Sequence, residues 1–293
     1  MRKLTFITLS LCLFFATATS LVHADTGFID SEGTQIYYQS AGEGEAVILI
    51  HGFTASAAQN WVAPGIFKNL AQDHLVVAID ARGHGKSDKP HGADNYGNKM
   101  VKDIANVMDA LEIDRAHIVG YSMGGFITTK FTIDYPERVI SAVPGGAGWM
   151  DPNSTEPDVI LELAESLENG NGIAPLIEAL TPADQPKPTP EYLAAINKML
   201  LATNDPLALA GAARGMAELS VTTKELKQNK VPMTVIVGTS DPLAQGVRAM
   251  EKEMSNMTAI YVDGHDHMSL IAEKKYLAGI RAHITANSLA ERS

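Results

Sequence analysis

The chain has 293 residues, of which 45% are hydrophobic and 19% charged, and its 34 acidic against 23 basic residues give a formal net charge of −11. This composition excludes a fibrous or disordered chain and suits one globular domain with an insertion. The acidic excess is spread along the chain rather than gathered in blocks, so we expect no nucleic-acid partner.

Residues 1–24 have the pattern of a secretory signal peptide. Two basic residues, Arg2 and Lys3, precede an apolar run over 4–16, and the segment ends in Ala24 with a small residue two positions before it. The apolar run is shorter than the roughly 20 residues that a membrane-spanning helix needs. We therefore expect cleavage after Ala24, a secreted or periplasmic protein, and no stable membrane insertion of the mature chain.

The single cysteine, Cys12, lies inside this N-terminal segment. The mature chain would then contain no cysteine, so neither a disulfide nor a cysteine nucleophile would be available to it. Because signal peptides are removed, the segment carries no argument about the fold of the mature chain.

The first part of the mature chain has the pattern of an edge hairpin followed by buried strands. Residues 28–40 alternate in polarity around a turn at Gly33, which predicts two antiparallel strands. Continuous apolar runs over 46–50 and 75–79 predict strands that are buried on both faces of a sheet. The spacing of apolar residues over 61–70 predicts a helix between these two strands.

Strand and helix patterns then alternate along the chain. The predicted strands cover 116–119, 139–143, 233–237 and 259–262, and the predicted helices cover 100–111, 126–135, 247–254 and 270–285. This alternation predicts an α/β fold with a mostly parallel, doubly wound sheet.

The alternation is interrupted over 151–228, where apolar stripes at helical spacing are separated by proline-rich turns. One stripe contains Leu163 and another contains Leu193. We interpret this segment as a helical cap, or lid, inserted into a core made of residues 25–150 and 229–293. The alternative is that these helices simply extend the core.

The apolar strand over 116–119 breaks into the pattern Gly-x-Ser-x-Gly, with Ser122 at its centre. Glycines at 120 and 124 permit a sharp strand-to-helix turn that exposes the serine at the carboxyl end of the strand. A five-residue pattern of common residues is also compatible with a turn that has no chemistry. The order of the other polar residues along the chain decides between these interpretations.

Three chemically competent residues follow predicted strands in the order Ser122, Asp241 and His267. Together with His51-Gly52-Phe53 and the glycine-rich loop over 80–90, this order resembles the α/β-hydrolase fold family, and the resemblance covers essentially the whole mature chain. The resemblance implies an α/β-hydrolase fold with a helical cap. A serine at 122 argues against the haloalkane dehalogenases and epoxide hydrolases, which resemble the chain but carry aspartate there.

The resemblance also implies a role for each residue. Ser122 would be the nucleophile, His267 the general base, and Asp241 the acid that orients the imidazole. The backbone N–H groups of Phe53 and Met123 would form the oxyanion hole, which stabilises the negative charge on the substrate oxygen.

Several alternatives remain open in the sequence. His265 follows the same strand as His267 and is a second candidate for the base, and Asp151 is a second candidate for the acid. The acidic and histidine residues over 263–267 crowd a single loop, so we expect no metal there. We expect His51 to brace the oxyanion loop, and structural roles are also expected for Trp61, Arg82, His84 and Ser87.

The expected function is that of an exported serine hydrolase that needs no cofactor. Its substrate would be a small-molecule ester of small or medium size, cleaved as by a carboxylesterase through an acyl-enzyme intermediate. The same triad serves C–C bond hydrolases, lactonases and cofactor-free perhydrolases, so these are alternative activities. A non-catalytic ligand-binding protein is the alternative from another class. The sequence does not indicate an oligomeric state.

Overall fold

The computed structural model describes residues 24–153 and 159–289, so the predicted signal peptide lies almost wholly outside the described residues. The strands are β1 Asp25–Ser31, β2 Thr34–Ala41, β3 Ala46–Ile50, β4 Leu75–Ile79, β5 Ala116–Tyr121, β6 Val139–Gly145, β7 Met233–Gly238 and β8 Met257–Val262. The helices are α1 Ile66–Leu70, α2 Asn98–Ala110, α3 Met123–Asp134, α4 Val159–Glu168, α5 Ala174–Leu180, α6 Pro190–Leu201, α7 Pro206–Gly215, α8 Thr223–Gln228, α9 Ala244–Glu253 and α10 Lys274–Asn287.

The strands form a single eight-stranded sheet in the order β1-β2-β4-β3-β5-β6-β7-β8. The hairpin of β1 and β2 is antiparallel and lies at one edge, and β2 is also antiparallel to β4. All other neighbouring strands are parallel. The predicted mostly parallel, doubly wound α/β sheet is therefore confirmed.

Apolar side chains fill both faces of the sheet, as continuous apolar strands require. Every residue of β3 and of β5 is buried. Helices α2, α3 and α9 pack on one face, and α1 and α10 pack on the other. Because helices cover both faces, the carboxyl ends of the parallel strands form the edge where polar groups can meet.

The helix predicted over 61–70 is shorter than expected. A π-helical turn, Ala58–Val62, is followed by the short helix α1. Pro64 and Gly65 separate the two, and Gly65 has a φ of +81°. Proline and a left-handed glycine interrupt an α-helix more strongly than the apolar spacing favours it.

Helices α4 to α8 lie between β6 and β7, in the segment predicted as an insertion. Leu163 and Leu167 of α4 form a small apolar cluster with Leu209 of α7. The stripe predicted on α6 is only partly used, because Met199 is 64% exposed and no residue of α6 is buried. The role of these helices as a lid is not tested by this arrangement and stays a prediction.

A buried ion pair fixes the glycine-rich loop that follows β4. Arg82 donates from Nε and Nη2 to the two carboxylate oxygens of Asp103 on α2, at 2.7 and 2.5 Å. Arg82 also donates to the Asn95 carbonyl, and the Ser31 hydroxyl donates to Asp103. Both charges are buried, so these bonds replace the water that each group gives up on folding.

No helix within 24–153 or 159–289 has the length and apolar character needed to span a bilayer.

Candidate active site

Ser122 lies at the turn between β5 and α3 in a strained backbone conformation, with φ +54° and ψ −118°. Close backbone approaches require glycine on both sides of it. A Cβ at Gly120 would lie 2.0 Å from the Gly124 carbonyl oxygen, and a Cβ at Gly124 would lie 2.1 Å from the Ile50 carbonyl oxygen. The turn therefore holds the serine at the carboxyl end of β5, where its side chain is partly exposed.

The three residues predicted from the sequence meet in one hydrogen-bonded chain. Nε2 of His267 lies 3.0 Å from Oγ of Ser122, and Nδ1 of His267 lies 2.9 Å from Oδ2 of Asp241. A carboxylate only accepts, so Nδ1 carries the imidazole proton and Nε2 is left to accept from the serine hydroxyl. Asp241 is buried, and its other oxygen accepts from the Leu243 N–H at 2.9 Å.

His265 lies apart from this chain. Its Nε2 is 3.4 Å from a carboxylate oxygen of Glu273. A Cβ at Gly238 would lie 2.0 Å from the His265 carbonyl oxygen, so the backbone at 265 packs directly on the end of β7. This backbone contact sets the position of the loop, and the histidine two residues later reaches Ser122.

The other sequence candidates have different partners. Asp151 accepts from the backbone and side-chain amides of Asn153. Asp266 accepts from the Ser269 hydroxyl, which holds the pKa of the Asp266 carboxyl below its usual range. Within the two described ranges, no cluster of three or more acidic, cysteine or histidine side chains is arranged to hold a metal ion.

Tyr121 supports the histidine loop and was not identified from the sequence. Its hydroxyl donates to the His267 carbonyl oxygen at 2.5 Å, and its ring lies 5.5 Å from the imidazole. Burial raises the pKa of the Tyr121 phenol, so the group remains a donor. The only signal was its place beside Ser122, because the contact joins residues far apart in the chain.

The loop after β3 passes beside Ser122. A Cβ at Gly52 would lie 3.3 Å from Cβ of Ser122, so this loop contacts the serine. Within the part of the chain that the structure describes, the N–H groups of Phe53 and Met123 have no hydrogen-bond partner. Met123 is the first residue of α3, where a helix leaves its N–H groups without intrahelical partners.

His51 braces this loop as a neutral group. Its Nε2 accepts from the Ala81 N–H at 2.9 Å, so Nδ1 carries the proton and donates to the Gly52 carbonyl at 2.7 Å. Burial lowers the pKa of His51 to about 4. A protonated ring would direct a second N–H at the Ala81 N–H, so this arrangement requires the neutral form.

His84 belongs to the glycine-rich loop and packs against the loop after β3. Its ring centroid lies 5.3 Å from that of His51 and 5.5 Å from that of Phe53. Nδ1 donates to the Arg82 carbonyl at 3.0 Å. Burial, followed by the neighbouring His51, lowers the pKa of His84 to about 3. The two histidines therefore act as neutral packing groups near the serine.

Comparison with known proteins agrees with this fold. A family model described as alpha/beta hydrolase fold matches residues 45–172. A 2-hydroxy-6-oxo-6-phenylhexa-2,4-dienoate hydrolase of Comamonas testosteroni is 38% identical over 120 residues, which are 39% of this chain and 41% of that protein. A 2-hydroxy-6-oxo-2,4-heptadienoate hydrolase of Pseudomonas putida is 35% identical over 130 residues, 43% of this chain and 46% of that protein. The chain thus matches less than half the length of these relatives.

Solved structures match over more of the chain. An esterase from Thermogutta terrifontis has a TM-score of 0.73 at 23% identity, covering 89% of this chain and 98% of that one. The 2-hydroxy-6-oxo-6-phenylhexa-2,4-dienoate hydrolase of Rhodococcus sp. strain RHA1 has a TM-score of 0.69 at 23% identity, covering 90% and 99%. The predicted α/β-hydrolase fold is therefore confirmed.

The two neutral histidines predict a loss of stability in mild acid. The pKa of His51 is lowered to about 4 and that of His84 to about 3, from an ordinary value of 6.5. Below about pH 6.5 the unfolded chain binds more protons than the folded chain, so the free energy of unfolding falls as pH is lowered toward 4. Each such histidine contributes up to about 1.4 kcal/mol per pH unit.

Replacing one histidine isolates its contribution. In His84→Asn the titrating ring is gone, so the slope of unfolding free energy against pH near pH 5 should be smaller by about 1.4 kcal/mol per unit. Urea unfolding at intervals from pH 4 to 7, on both proteins, measures the two slopes. Equal slopes would mean that His84 takes up its proton without unfolding.

Proposed function

We propose that this chain, which has the α/β-hydrolase fold, is a serine hydrolase in which Ser122 attacks a carbonyl carbon. The observation that carries the proposal is the hydrogen-bonded chain from Ser122 through His267 to Asp241, with distances of 3.0 and 2.9 Å. A serine hydroxyl is a weak nucleophile until a base removes its proton, and this arrangement supplies that base.

In the proposed reaction, Nε2 of His267 takes the proton as Ser122 Oγ bonds to the carbonyl carbon. The resulting imidazolium is stabilised by Asp241, and the N–H groups of Phe53 and Met123 donate to the oxyanion. Collapse of the tetrahedral intermediate breaks the bond to the leaving group, which receives the proton from His267. Water, activated by the same histidine, then hydrolyses the acyl-enzyme.

Two substrate classes compete for this chemistry. The names of the curated relatives support the C–C bond hydrolase, the alternative predicted from the sequence, better than the carboxylesterase. Those names describe 6-oxo dienoates without an ester bond, so hydrolysis there must break a C–C bond beside the ketone. We therefore place C–C hydrolysis first, because these relatives are 38% and 35% identical to this chain over 120 and 130 residues.

The charges of the insertion favour the second class, a neutral ester. A dienoate carries a carboxylate, which needs a cation or several donors when it is buried. Among residues 159–228, the cations are exposed to solvent or, in Arg214, paired with Glu168 at 2.7 and 2.8 Å. The cluster of Leu163, Leu167 and Leu209 is wholly apolar. We propose that these helices form a lid over a small-molecule substrate, and that the lid sets its size and charge.

Removal of the nucleophile or base should abolish turnover without loss of the fold. Ser122→Ala is expected to leave only background activity, and His267→Ala to lose a factor of at least about 100, the contribution of a general base. The double variant should be hardly worse than either single one, because the residues act as a unit. His265→Ala is the matched control and should keep most activity in steady-state assays. The reverse pattern for the two histidines would move the base to 265.

A substrate panel separates the two classes. Wild-type protein is assayed with short-chain aryl esters and, at equal concentration, with a 2-hydroxy-6-oxo dienoate whose absorbance falls on cleavage. Turnover of the dienoate alone supports C–C hydrolysis, and turnover of the esters alone supports a carboxylesterase. If neither is turned over and an organophosphonate fails to label Ser122, the proposal of a serine hydrolase is wrong.

Export stays a proposal that depends on residues 1–24. The basic start, apolar run and small residues at the cleavage position are the features that support it. Mass spectrometry of the protein recovered from outside the cytoplasm should give Asp25 as the first residue. A chain that retains Met1 would contradict export by a cleaved signal peptide.

A further inference from the structure

The loop that carries the Phe53 N–H is held by the core through several hydrogen bonds. The Gly52 N–H donates to Oδ1 of Asn60 at 2.8 Å, and the Ala57 N–H donates to Oδ1 of Asp80 at 2.7 Å. His51 braces the start of the loop through its bonds to the Gly52 carbonyl and the Ala81 N–H. These contacts fix both ends of the segment 51–57. None of these hydrogen bonds involves Thr54, at the centre of the segment.

Thr54 has an unfavourable backbone conformation. Its φ is +63°, a left-handed value that a β-branched residue rarely adopts. Such a conformation persists only where the surroundings hold it. On one side, the Ala55 N–H donates to the Gly52 carbonyl at 3.2 Å and closes the turn. A return of Thr54 to negative φ would move the adjoining peptide groups and change the direction of the Phe53 N–H.

The second restraint on Thr54 comes from the insertion. Nδ2 of Asn204 donates to the Thr54 carbonyl oxygen at 3.3 Å. The same amide donates to the Leu200 carbonyl at 3.2 Å, and the Asn204 backbone N–H donates to that carbonyl at 2.9 Å. Asn204 is thereby fixed to the carboxyl end of α6, so its amide transmits the position of this helix to the loop.

The Phe53 side chain makes a parallel connection. Its ring packs against the main core cluster and also against the insertion cluster that contains Leu163 and Leu209. Phe53, the candidate oxyanion donor, is therefore in contact with both parts of the molecule. Displacement of the insertion would act on the loop through the Phe53 ring and the Asn204 amide together.

We propose that Asn204 is a positioning residue for the oxyanion hole: its amide holds Thr54 in the left-handed conformation and so directs the Phe53 N–H at the developing oxyanion. This inference rests on the proposed function, since it assigns Phe53 the role of oxyanion donor. It gives the insertion a second task beside substrate selection. Loss of the contact reduces transition-state stabilisation for every substrate alike, whereas a change in the apolar lining alters the preference among substrates.

Asn204→Asp tests the contact with little change of shape, because an oxygen replaces the donating NH2 group opposite the Thr54 carbonyl. We expect kcat to fall about 10-fold, less than the roughly 100-fold minimum for removing an oxyanion donor outright. KM should stay within about twofold, because the lost interaction acts in the transition state. The affinity of an aryl boronic acid, which forms a tetrahedral adduct on Ser122, should fall by the same factor as kcat. Asn204→Ala should behave alike.

The matched control is Asn197→Ala. Asn197 lies in α6, the helix to whose carboxyl end Asn204 is fixed, and its side chain accepts from the Ile173 N–H at 2.9 Å and donates to the Asn171 carbonyl. This variant should unfold at lower urea concentration yet keep kcat and boronate affinity. Wild-type kcat in both Asn204 variants would overturn the proposal and leave the serine hydrolase in place. An equal loss in Asn197→Ala, or failure of both Asn204 variants to fold, would also overturn it, because Asn204 would then only stabilise the structure. Absence of Ser122-dependent turnover in the wild type would refute the proposed function itself.

Discussion

The site depends on one close backbone contact, between the first turn of α3 and the end of β3. A Cβ at Gly124 would lie 2.1 Å from the Ile50 carbonyl oxygen and 2.7 Å from that of His51. Because glycine alone permits this approach, α3 can begin directly against the neighbouring strand, and Ser122 is forced to positive φ. The contact also brings the loop after β3 beside the serine. Ser122 and both candidate oxyanion donors are therefore brought together by a single steric constraint.

Buried polar groups hold the loops around this contact in place. Asp80 accepts from the N–H groups of Ala57 and Lys86 and so joins two loops at the carboxyl edge of the sheet. Arg82 and Asp103 connect the second of these loops to α2. Each bond is directional and at least partly buried, so these loops are restrained in position. The folded state is therefore sensitive to the protonation of His51 and His84, because both rings must stay neutral.

The sequence predicted most of the sheet and the order of the reactive residues, because apolar runs such as 46–50 and 75–79 report directly on burial. It placed the end of β5 too early, since Gly120 and Tyr121 continue the ladder beside β6. Contacts between distant residues that the family resemblance does not imply could not be predicted. The hydrogen bonds from the Tyr121 hydroxyl to the His267 carbonyl and from the Asn204 amide to the Thr54 carbonyl correspond to no periodic pattern in the sequence. Each depends on how separate segments pack. The exposure of Met199 on α6, despite the apolar stripe of that helix, also depends on how segments pack and could not be predicted.

The direction of β1 has a practical consequence. This strand is antiparallel to β2, which is antiparallel to β4, so β1 runs in the same direction as the parallel strands, and Asp25 lies level with Val77 in the middle of β4. Asp25 is therefore the end of β1 that lies farther from the carboxyl edge, where Ser122 is found. Four inter-strand spacings also separate β1 from β5, or about 19 Å at roughly 4.8 Å each. An affinity tag, a fluorescent fusion or a solid support joined ahead of Asp25 would thus face away from the reactive edge and leave it open to solution.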